Sequence, residues 1–158
     1  MMILRDYTPD DQDPVFALNA EAADPGWRIA PDSPTYADLR DIPNTYQLHG
    51  AFLVGEVSGE VVAMGGVKDV GDDVFELKRI RVLDVHRRKG YARQLILELE
   101  RRVRERGARA IILDTTDEQA PALRLYESMD YSFTHTSVRE GRDRAFNLVH
   151  YRKDLDTG

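Results

Sequence analysis

Four basic residues, Arg87, Arg88, Lys89 and Arg93, surround the predicted start of a helix in a chain whose net charge is −6. The first turn of a helix carries free backbone N–H groups and a partial positive charge, so each nearby cation costs roughly a few tenths of a kcal/mol there. No acidic residue follows Val85 before the last of these cations. The pattern therefore predicts either a solvated basic run or a site for an anion that is not part of the chain.

A pyrophosphate is an anion that suits this turn. Gly90 and Ala92 remove side chains where the backbone would approach phosphate oxygens, while Arg88 and Lys89 would add charge-assisted contacts. The turn has neither the three glycines of a dinucleotide-binding fingerprint nor the glycine-lysine-serine or glycine-lysine-threonine ending of a P-loop. Nucleotide hydrolysis is therefore not predicted.

The elements before this turn are predicted from turn residues and apolar spacing. A first helix is expected from Thr8 to Ala23, and a second, short helix begins after Ser33. Two strands, GAFLVGEV and VVAMGGV, flank Ser58-Gly59, which is a connection typical of a β-hairpin. A third strand, VFELKRIRVL, leads into the basic turn.

The third of these strands breaks its own alternation. Phe75 and Leu77 share one face, whereas Ile80 and Val82 fall on the opposite parity. One extra residue at Lys78-Arg79 would restore the alternation, which is the effect of a β-bulge, and bulges are frequent beside active sites. The alternative is a strand that is buried on both faces near its end.

The helix after the basic turn has the clearest pattern in the chain. Its apolar stripe is formed by Ala92, Leu95, Ile96, Leu99 and Val103. The opposite, solvated face is expected to pair Glu98 with Arg102 and Glu100 with Arg104 at i,i+4 spacing, and Gly107 ends the helix. The isoleucine-rich run ARAIILDTT follows as a buried strand, so strand, helix and strand predict a parallel pair.

A further helix, QAPALRLYESMDY, and two last strands joined across REGRDR complete the chain. The order is two helices, three antiparallel strands, a helix, a strand, a helix and two strands. This order predicts an α+β fold in a single domain, residues 1–158, with a mixed, mostly antiparallel sheet of six to seven strands and about four flanking helices.

Composition narrows the classes of function. A length of 158 residues with 42% apolar and 32% charged residues predicts one soluble domain. The acidic net charge argues against nonspecific nucleic-acid binding, and the glutamates within ERRVRERGARA favour a solvated helix over a nucleic-acid arm. No apolar run is long enough to span a membrane and no export leader is recognised, so a cytoplasmic protein without a membrane partner is expected.

The lack of cysteine excludes disulfides, thiolate metal sites and a cysteine-bound intermediate. The four histidines, His49, His86, His135 and His150, show no metal-ligand spacing. His86 is interpreted as a turn residue and the others as strand or core residues. No metal is therefore expected.

Three segments resemble the GNAT superfamily of N-acetyltransferases. The family signature is Gln or Arg, two residues, Gly, one residue, and Gly or Ala, and RRKGYA from Arg87 to Ala92 fits it. ELKRIRV is similar to the family's fourth strand, and QAPALRLYESMDY is similar to its N-x-x-A-x-x-L-Y-E-x-x-G-F helix. The resemblance extends from Ala51 to Tyr131 and implies the family fold.

The resemblance also implies an acetyl-CoA site. It assigns to the cofactor the residues Ile80, Arg81, Val82, Arg87, Arg88, Lys89, Gly90, Tyr91, Ala92, Arg93, Gln119 and Tyr126. The backbone from Ile80 to Val82 would pair with the pantetheine arm, the amides from Arg88 to Arg93 would hold the pyrophosphate, and the bulge would splay the fourth and fifth strands around the thioester. Gln119 stands where the family usually has Asn, and Asp130 stands where it usually has Gly.

Acetyl transfer to an amine requires an acid and a base, because the acceptor must lose a proton and the leaving thiolate must gain one. Tyr126 matches the family tyrosine that acts as the general acid, and its alternative role is a packed helix residue. Asp114 and Glu76 both stand where family members place a base, and the alternatives are a turn cap and a solvated strand face. Without cysteine, direct transfer in a ternary complex is predicted.

The acceptor is expected to be a small amine or a peptide amine. By resemblance its site is built from the segments 24–47 and 134–144, and Trp27 beside Arg28 would suit a small amine that carries an acid group. The alternative for Trp27 is packing between the helices. The resemblance also implies a homodimer through the last strands. A CoA-binding regulatory domain or pseudo-enzyme without productive transfer is the alternative function.

Overall fold

Seven strands form one sheet in the computed structural model, which describes residues 1–22, 34–141 and 144–155. Their bounds are β1 Ile3–Asp6, β2 Ala51–Val57, β3 Glu60–Asp69, β4 Val74–Val82, β5 Ala110–Thr116, β6 Ser132–Glu140 and β7 Ala145–Asp154. They lie in the spatial order β1-β2-β3-β4-β5-β7-β6. All neighbouring strands are antiparallel except β4 and β5, which form the predicted parallel pair.

Four helices longer than a single turn flank the sheet in the described residues. They are α1 Gln12–Ala22, a π-helix at Pro43–Gln47, α2 Tyr91–Glu105 and α3 Ala120–Ser128. The predicted first helix starts with a 3-10 turn, Pro9–Asp11, and the predicted second helix is divided between the 3-10 turn Pro34–Tyr36 and the π-helix. The predicted α+β fold with a mixed, mostly antiparallel sheet is confirmed, and β1 adds a strand that the sequence pattern did not locate.

The predicted hairpin and the predicted bulge are both present. Ser58 and Gly59 connect β2 to β3 with φ of 53° and 80°, the left-handed pair that a two-residue hairpin turn requires. In the next hairpin Met64 faces Arg81 and Gly66 faces Lys78, so β4 carries one residue more than β3 at this point. Arg79 adopts a φ of 62° there.

The bulge restores the alternation of β4, because Ile80 and Val82 pack against the same core cluster as Phe75 and Leu77. The alternative of a strand end buried on both faces is therefore not needed. A Cβ at Gly65, opposite the bulge, would require the end of the Ile80 side chain to shift.

Two core clusters cover the two faces of the sheet. One lies under α2 and α3 and includes Leu95, Leu99 and Ile111. The other lies under α1 and the π-helix and includes Leu18 and Tyr46. Residues of β4 therefore alternate between an α2 face and an α1 face, and this alternation decides which side chains can meet which ligand.

The apolar stripe of α2 is confirmed, since Leu95, Ile96, Leu99 and Val103 are fully buried. The solvated position predicted for Glu100 is wrong. Its side chain is 1% exposed, the Tyr131 hydroxyl donates a 2.8 Å hydrogen bond to it, and Lys153 Nζ lies 3.1 Å away. Lys153, 53 positions away, neutralises a carboxylate that helix periodicity places at the edge of the stripe, and Tyr131, 31 positions away, adds a hydrogen bond.

The helix ends agree with the sequence pattern. Gly107 follows α2 with a φ of 84°, and Asp130 follows α3 with a φ of 72°, so both take the left-handed conformation that closes a helix. Among the described residues, no helix combines the length and the apolar character needed to cross a membrane.

Candidate active site

The centre of the site is an opening between β4 and β5. These strands pair only from Val74 to Glu76 with Ala110 to Ile112. Beyond Glu76 the bulge turns β4 away, so the edge of β4 from Ile80 to Val82 has no ladder partner on the β5 side. An extended ligand could add to this edge as a strand does.

The loop that continues from this edge has the features of an anion-binding cradle. Of the backbone hydrogen bonds among the described residues, none outside the helices uses the amides of residues 88–93, and the first one into α2 runs from Gln94 N to Gly90 O. Arg88 and Gly90 have φ of 64° and 79°, and alternating left-handed residues turn successive amides toward one point. Six free N–H groups at the start of a 15-residue helix fit a pyrophosphate.

The cations of the cradle have different surroundings. Arg87 Nη1 lies 3.2 Å from Asp84 Oδ1, so an acid just before the run offsets one charge. The Arg93 guanidinium donates to Ser128 Oγ at 2.7 Å, which ties the start of α2 to α3. Arg88 and Lys89 are exposed and can turn toward a bound anion. Tyr91 and Ala92, the first residues of α2, are half-buried below them.

Helix α3 carries Tyr126 to the opening. The Tyr126 side chain is 8% exposed, and its ring packs edge-on against Tyr131 at 5.9 Å. Burial raises the pKa of Tyr126 to about 12, the positive charge of Arg81 opposes this shift, and Asp114 adds to it. The phenol is therefore protonated at neutral pH and can act as a proton donor. Gln119 is exposed at the N-terminal end of α3.

The two candidate bases meet in one cavity on the α1 face. A cavity of about 280 Å³ is lined by Glu76, Asp114, Thr134, His135 and His150, together with parts of β5 and β7. Sequence reasoning named the carboxylates on two separate strands, and the parallel pairing brings them to the same wall. The segment 134–144, expected to border the acceptor, contributes residues 134–140 of the predicted strand β6 to this side.

His150 is a candidate that sequence reasoning missed. It faces Asp114 across the β5–β7 ladder, its Nε2 lies 2.7 Å from Ser137 Oγ, and its ring stacks on His135 at 4.0 Å. The interpretation of His150 as a strand residue holds, but the register of two strands also places this imidazole in the cavity. Spacing along the chain carries no signal for it, because His135 and His150 meet only through the pairing of β6 and β7.

Arg79 clamps the bulge to the α1 face. Its Nη2 and Nε lie 2.8 and 3.0 Å from the two oxygens of Asp38, and its Nη1 donates to Asn19 Oδ1 at 3.3 Å. Burial raises the pKa of Asp38, but hydrogen bonds and charge from Arg79 outweigh it and lower the value to about 2. The Tyr46 hydroxyl donates to the same carboxylate at 2.6 Å.

Other expectations concern residues outside this opening and its cavity. Trp27 and Arg28 lie outside the described residues. Among the residues the structure describes, no group of three or more acidic or histidine side chains could hold a metal ion. A second cavity, of about 540 Å³, lies beside α1 and β1 and includes none of the predicted site residues.

Comparison with known proteins agrees with this geometry. The model of the acetyltransferase (GNAT) family matches residues 13–131. Human N-acetyltransferase 8 is 31% identical over 118 residues, which is 70% of this chain and 52% of that protein, so the chain spans about half the length of the curated relatives it matches.

Solved structures share the fold. A GNAT-family acetyltransferase from Staphylococcus aureus Mu50 superposes with a TM-score of 0.84 at 15% identity, over 99% of this chain and 100% of that one. The putative acetyltransferase yncA from Salmonella typhimurium, solved with its cofactor acetyl-CoA, gives 0.79 at 22% identity, over 99% and 95%. With a family match over most of its length and the family fold throughout the described residues, the chain belongs to the acetyltransferase (GNAT) family.

Proposed function

We propose that this protein is an acetyl-CoA-dependent N-acetyltransferase that transfers the acetyl group directly to a primary amine. The proposal rests on two adjacent stretches of backbone whose hydrogen-bonding groups have no backbone partner among the described residues. They are the open edge of β4 and the amides of residues 88–93. One offers strand-like hydrogen bonds and the other holds a pyrophosphate, so together they match a long ligand with a phosphate end.

The residues fit acetyl-CoA in detail. Ile80, Arg81 and Val82 offer main-chain groups to the pantetheine arm, and the amides from Arg88 to Arg93 donate to the pyrophosphate. Arg87, Arg88, Lys89 and Arg93 add positive charge around it. When bound, acetyl-CoA supplies an activated acetyl thioester. Gln119 at the start of α3 is an additional polar contact for the cofactor in this proposal.

Tyr126 is the proposed general acid. Its burial beside the opening keeps the phenol protonated, so Tyr126 Oη has a proton to give to the departing sulfur. The nearby charge of Arg81 favours the phenolate, which eases that donation. The alternative role of a packed aromatic remains compatible with its ring contact to Tyr131, so the hydroxyl is the group to test.

Asp114 is the proposed base. An alkylamine with a pKa near ~10.4 is mostly protonated at neutral pH and must lose a proton before it attacks. Asp114 lines the cavity, and its charge acts on the pKa of Tyr126, which supports this assignment. Glu76 and His150 line the same cavity and are the next candidates, each able to act through a water.

The acceptor ammonium first gives one proton to Asp114. The neutral nitrogen then forms the new amide bond as the carbon–sulfur bond breaks, and Tyr126 supplies a proton to the sulfur. The second proton that leaves the nitrogen restores the Tyr126 phenol. No cysteine is available to carry the acetyl group, so both substrates are bound together. Double-reciprocal plots that intersect are expected, and parallel lines would contradict direct transfer.

Isothermal titration with acetyl-CoA tests the cofactor site. Gly90→Glu places a carboxylate in the cradle and should abolish binding measured for the wild type. Gly107→Glu is the matched control, because Gly107 has a similar φ, 84° against 79°, and a Cβ added to either glycine would have no neighbouring heavy atom within 4 Å. Circular dichroism checks that both variants fold.

The outcomes separate the two functions. Wild type that does not bind acetyl-CoA, or Gly90→Glu that binds as well as Gly107→Glu, would overturn the proposed site. Binding without release of free thiol across a panel of amino acids, polyamines and peptide N-termini would favour a CoA-binding domain that does not transfer.

A further inference from the structure

Arg81 is a half-buried cation for which the described residues provide no anion. Its Nε is buried and has no hydrogen-bond partner among them. Its Nη1 donates to the carbonyl of the adjacent Ile80, at 3.1 Å. A guanidinium with a buried, unbonded N–H and no counter-charge is costly, so its position calls for an anion from elsewhere.

The cofactor phosphates are on the wrong side to supply that anion. Arg81 faces Met64 across the ladder, and Met64 belongs to the core cluster under α1. The next residue, Val82, faces Ala63 and packs with the cluster under α2. The Arg81 side chain therefore projects to the α1 face, while the anion cradle is formed by the start of α2.

Asp38, the acid that pairs with the neighbouring arginine on the α1 face, is already engaged. Both of its carboxylate oxygens accept hydrogen bonds from Arg79. Burial and the like charge of Arg79 lower the pKa of Arg81, and the phenols of Tyr126, Tyr36 and Tyr46 are its other electrostatic neighbours. A guanidinium without an acidic partner among the described residues suits a small anionic group.

The cavity on the same face of the sheet has the opposite charge. Glu76 and Asp114 line its wall. The charges of Arg81 and Asp114 both act on the pKa of Tyr126, in opposite directions. Tyr126 therefore has both a cation and an anion among its electrostatic neighbours. A molecule that carries an ammonium group and a carboxylate a few bonds apart would satisfy both ends across the reacting position. A cavity of about 280 Å³ fits an acceptor of this small size.

We propose that Arg81 binds the carboxylate of the acceptor, and that the acceptor is an amino acid or a similarly small amine that carries a carboxylate. The inference rests on the proposed acetyl transfer. Arg81 then has two roles. Its main chain pairs with the cofactor, and its side chain binds the carboxylate of the acceptor. It selects the acceptor through binding and takes no proton itself.

Product binding gives a readout that does not require activity. The probes are N-acetylglycine, N-acetylleucine and N-acetylphenylalanine, each beside its C-terminal amide, which keeps the shape and removes the charge. The carboxylates should raise the melting temperature of the wild type, and the amides should not. Arg81→Met should lose this difference, whereas Arg101→Met, which removes an exposed cation of α2, should keep it.

Arg81→Met should also melt at a higher temperature than the wild type without ligand, because a buried unpaired charge is replaced by an apolar chain of similar length. A structural role for Arg81 predicts the opposite shift. If Arg81→Met does not fold, the wild-type comparison of carboxylates with amides decides alone.

Steady-state kinetics extends the test to the acceptors. Amino acids should exceed their amides in kcat/KM by roughly 30-fold or more, and Arg81→Met should remove that preference mainly through the KM of the acceptor. The dissociation constant of acetyl-CoA, measured by titration, should stay unchanged. Wild type that binds acetyl-CoA but prefers neither form overturns this inference alone, while wild type that does not bind acetyl-CoA overturns the proposed function beneath it.

Discussion

Arg79 and Arg81 stand two positions apart on β4 and have opposite surroundings. Arg79 is held by both oxygens of Asp38 and by Asn19, and it fixes the bulge to the elements under α1. Arg81 lacks a partner for its buried Nε among the described residues. One guanidinium is part of the fold and the other is available for a ligand, so substitution of the two should affect different properties, stability for Arg79 and acceptor choice for Arg81.

The first residue-scale prediction concerns Asp38. Its pKa falls from 3.8 to about 2 on folding, so its contribution to stability is complete above pH 4 and is lost as the pH falls toward 2. Asp38→Asn should reduce the free energy of unfolding at pH 7 by roughly 2 kcal/mol, and the deficit should shrink below pH 4. Urea unfolding at pH 7, 4 and 2.5 measures it.

The exposed Asp10 provides the control for that series, since Asp10→Asn should change little at any of the three pH values. A deficit of Asp38→Asn that stays the same from pH 7 to pH 2.5 would show that the carboxylate charge is not the source of its effect.

The second residue-scale prediction concerns Tyr126. Tyr126→Phe should lower kcat by roughly 10²-fold or more while the dissociation constant of acetyl-CoA stays within a factor of about two, because only the proton donor is removed. With a pKa of about 12, Tyr126 holds its proton across the working range, so loss of the wild-type rate between pH 8 and 10 should have another cause. A kcat of Tyr126→Phe equal to that of the wild type would assign the tyrosine to packing.

Local sequence patterns indicated some residues of the candidate site, and the others could not be found from the sequence. Tyr126, Asp114 and the cations around Gly90 stand in recognisable local patterns. The pairing of Arg79 with Asp38 joins residues 41 positions apart, so the two arginines of β4 look equivalent in the sequence. His150 enters the cavity through strand register alone. Interactions of this kind depend on tertiary contacts that local periodicity does not encode.

At the scale of elements, the bulge in β4 separates the proposed cofactor edge from the rest of the sheet. Deletion of Arg79 removes the extra residue but keeps Phe75, Leu77, Ile80 and Val82 on one face, so the fold should survive. The strand should then continue to pair beside β5 and close the opening. The dissociation constant of acetyl-CoA should rise at least about tenfold, which corresponds to losing about one or two hydrogen bonds.

Arg79→Gly is the control for this deletion, because it removes the same guanidinium and keeps the bulge with a residue that favours a φ of 62°. It should lose stability but retain acetyl-CoA affinity closer to that of the wild type. Equal affinities for the deletion and for Arg79→Gly would show that the bulge does not create the cofactor edge.

The elements themselves were predicted where the signal is local. The Ser58-Gly59 turn, the parity slip at Lys78-Arg79 and the stripe of α2 each follow from a few adjacent residues. β1 was missed because four residues at a sheet edge carry too short a pattern. Glu100 was misplaced because helix periodicity cannot show that Lys153 and Tyr131 neutralise it from other elements.

At the scale of the whole molecule, β6 is an edge strand that still lacks a neighbour on its outer side among the described residues of the single chain. Phe133 and Val138 are 58% and 66% exposed on it, which is unusual for apolar residues of a free edge. These features agree with the homodimer expected through the last strands, which stays a prediction.

Light scattering during gel filtration tests this expectation. The wild type should have the mass of a dimer at micromolar concentration, and Val138→Lys should shift it toward the monomer. Ile3→Lys, at the other edge of the sheet, should leave the mass unchanged. A wild type that elutes with the mass of one chain would remove the homodimer from consideration.

The short pairing of β4 with β5, three residues on each strand, also affects how quickly the protein is degraded in a cell. Two halves of the sheet, β1 to β4 and β5 to β7, share few hydrogen bonds until a ligand adds to the open edge. Acetyl-CoA would then stabilise the folded chain by RT ln(1 + [L]/Kd), and a protease would find fewer opened molecules. The protein would therefore be degraded more slowly when acetyl-CoA is abundant and faster when it is scarce.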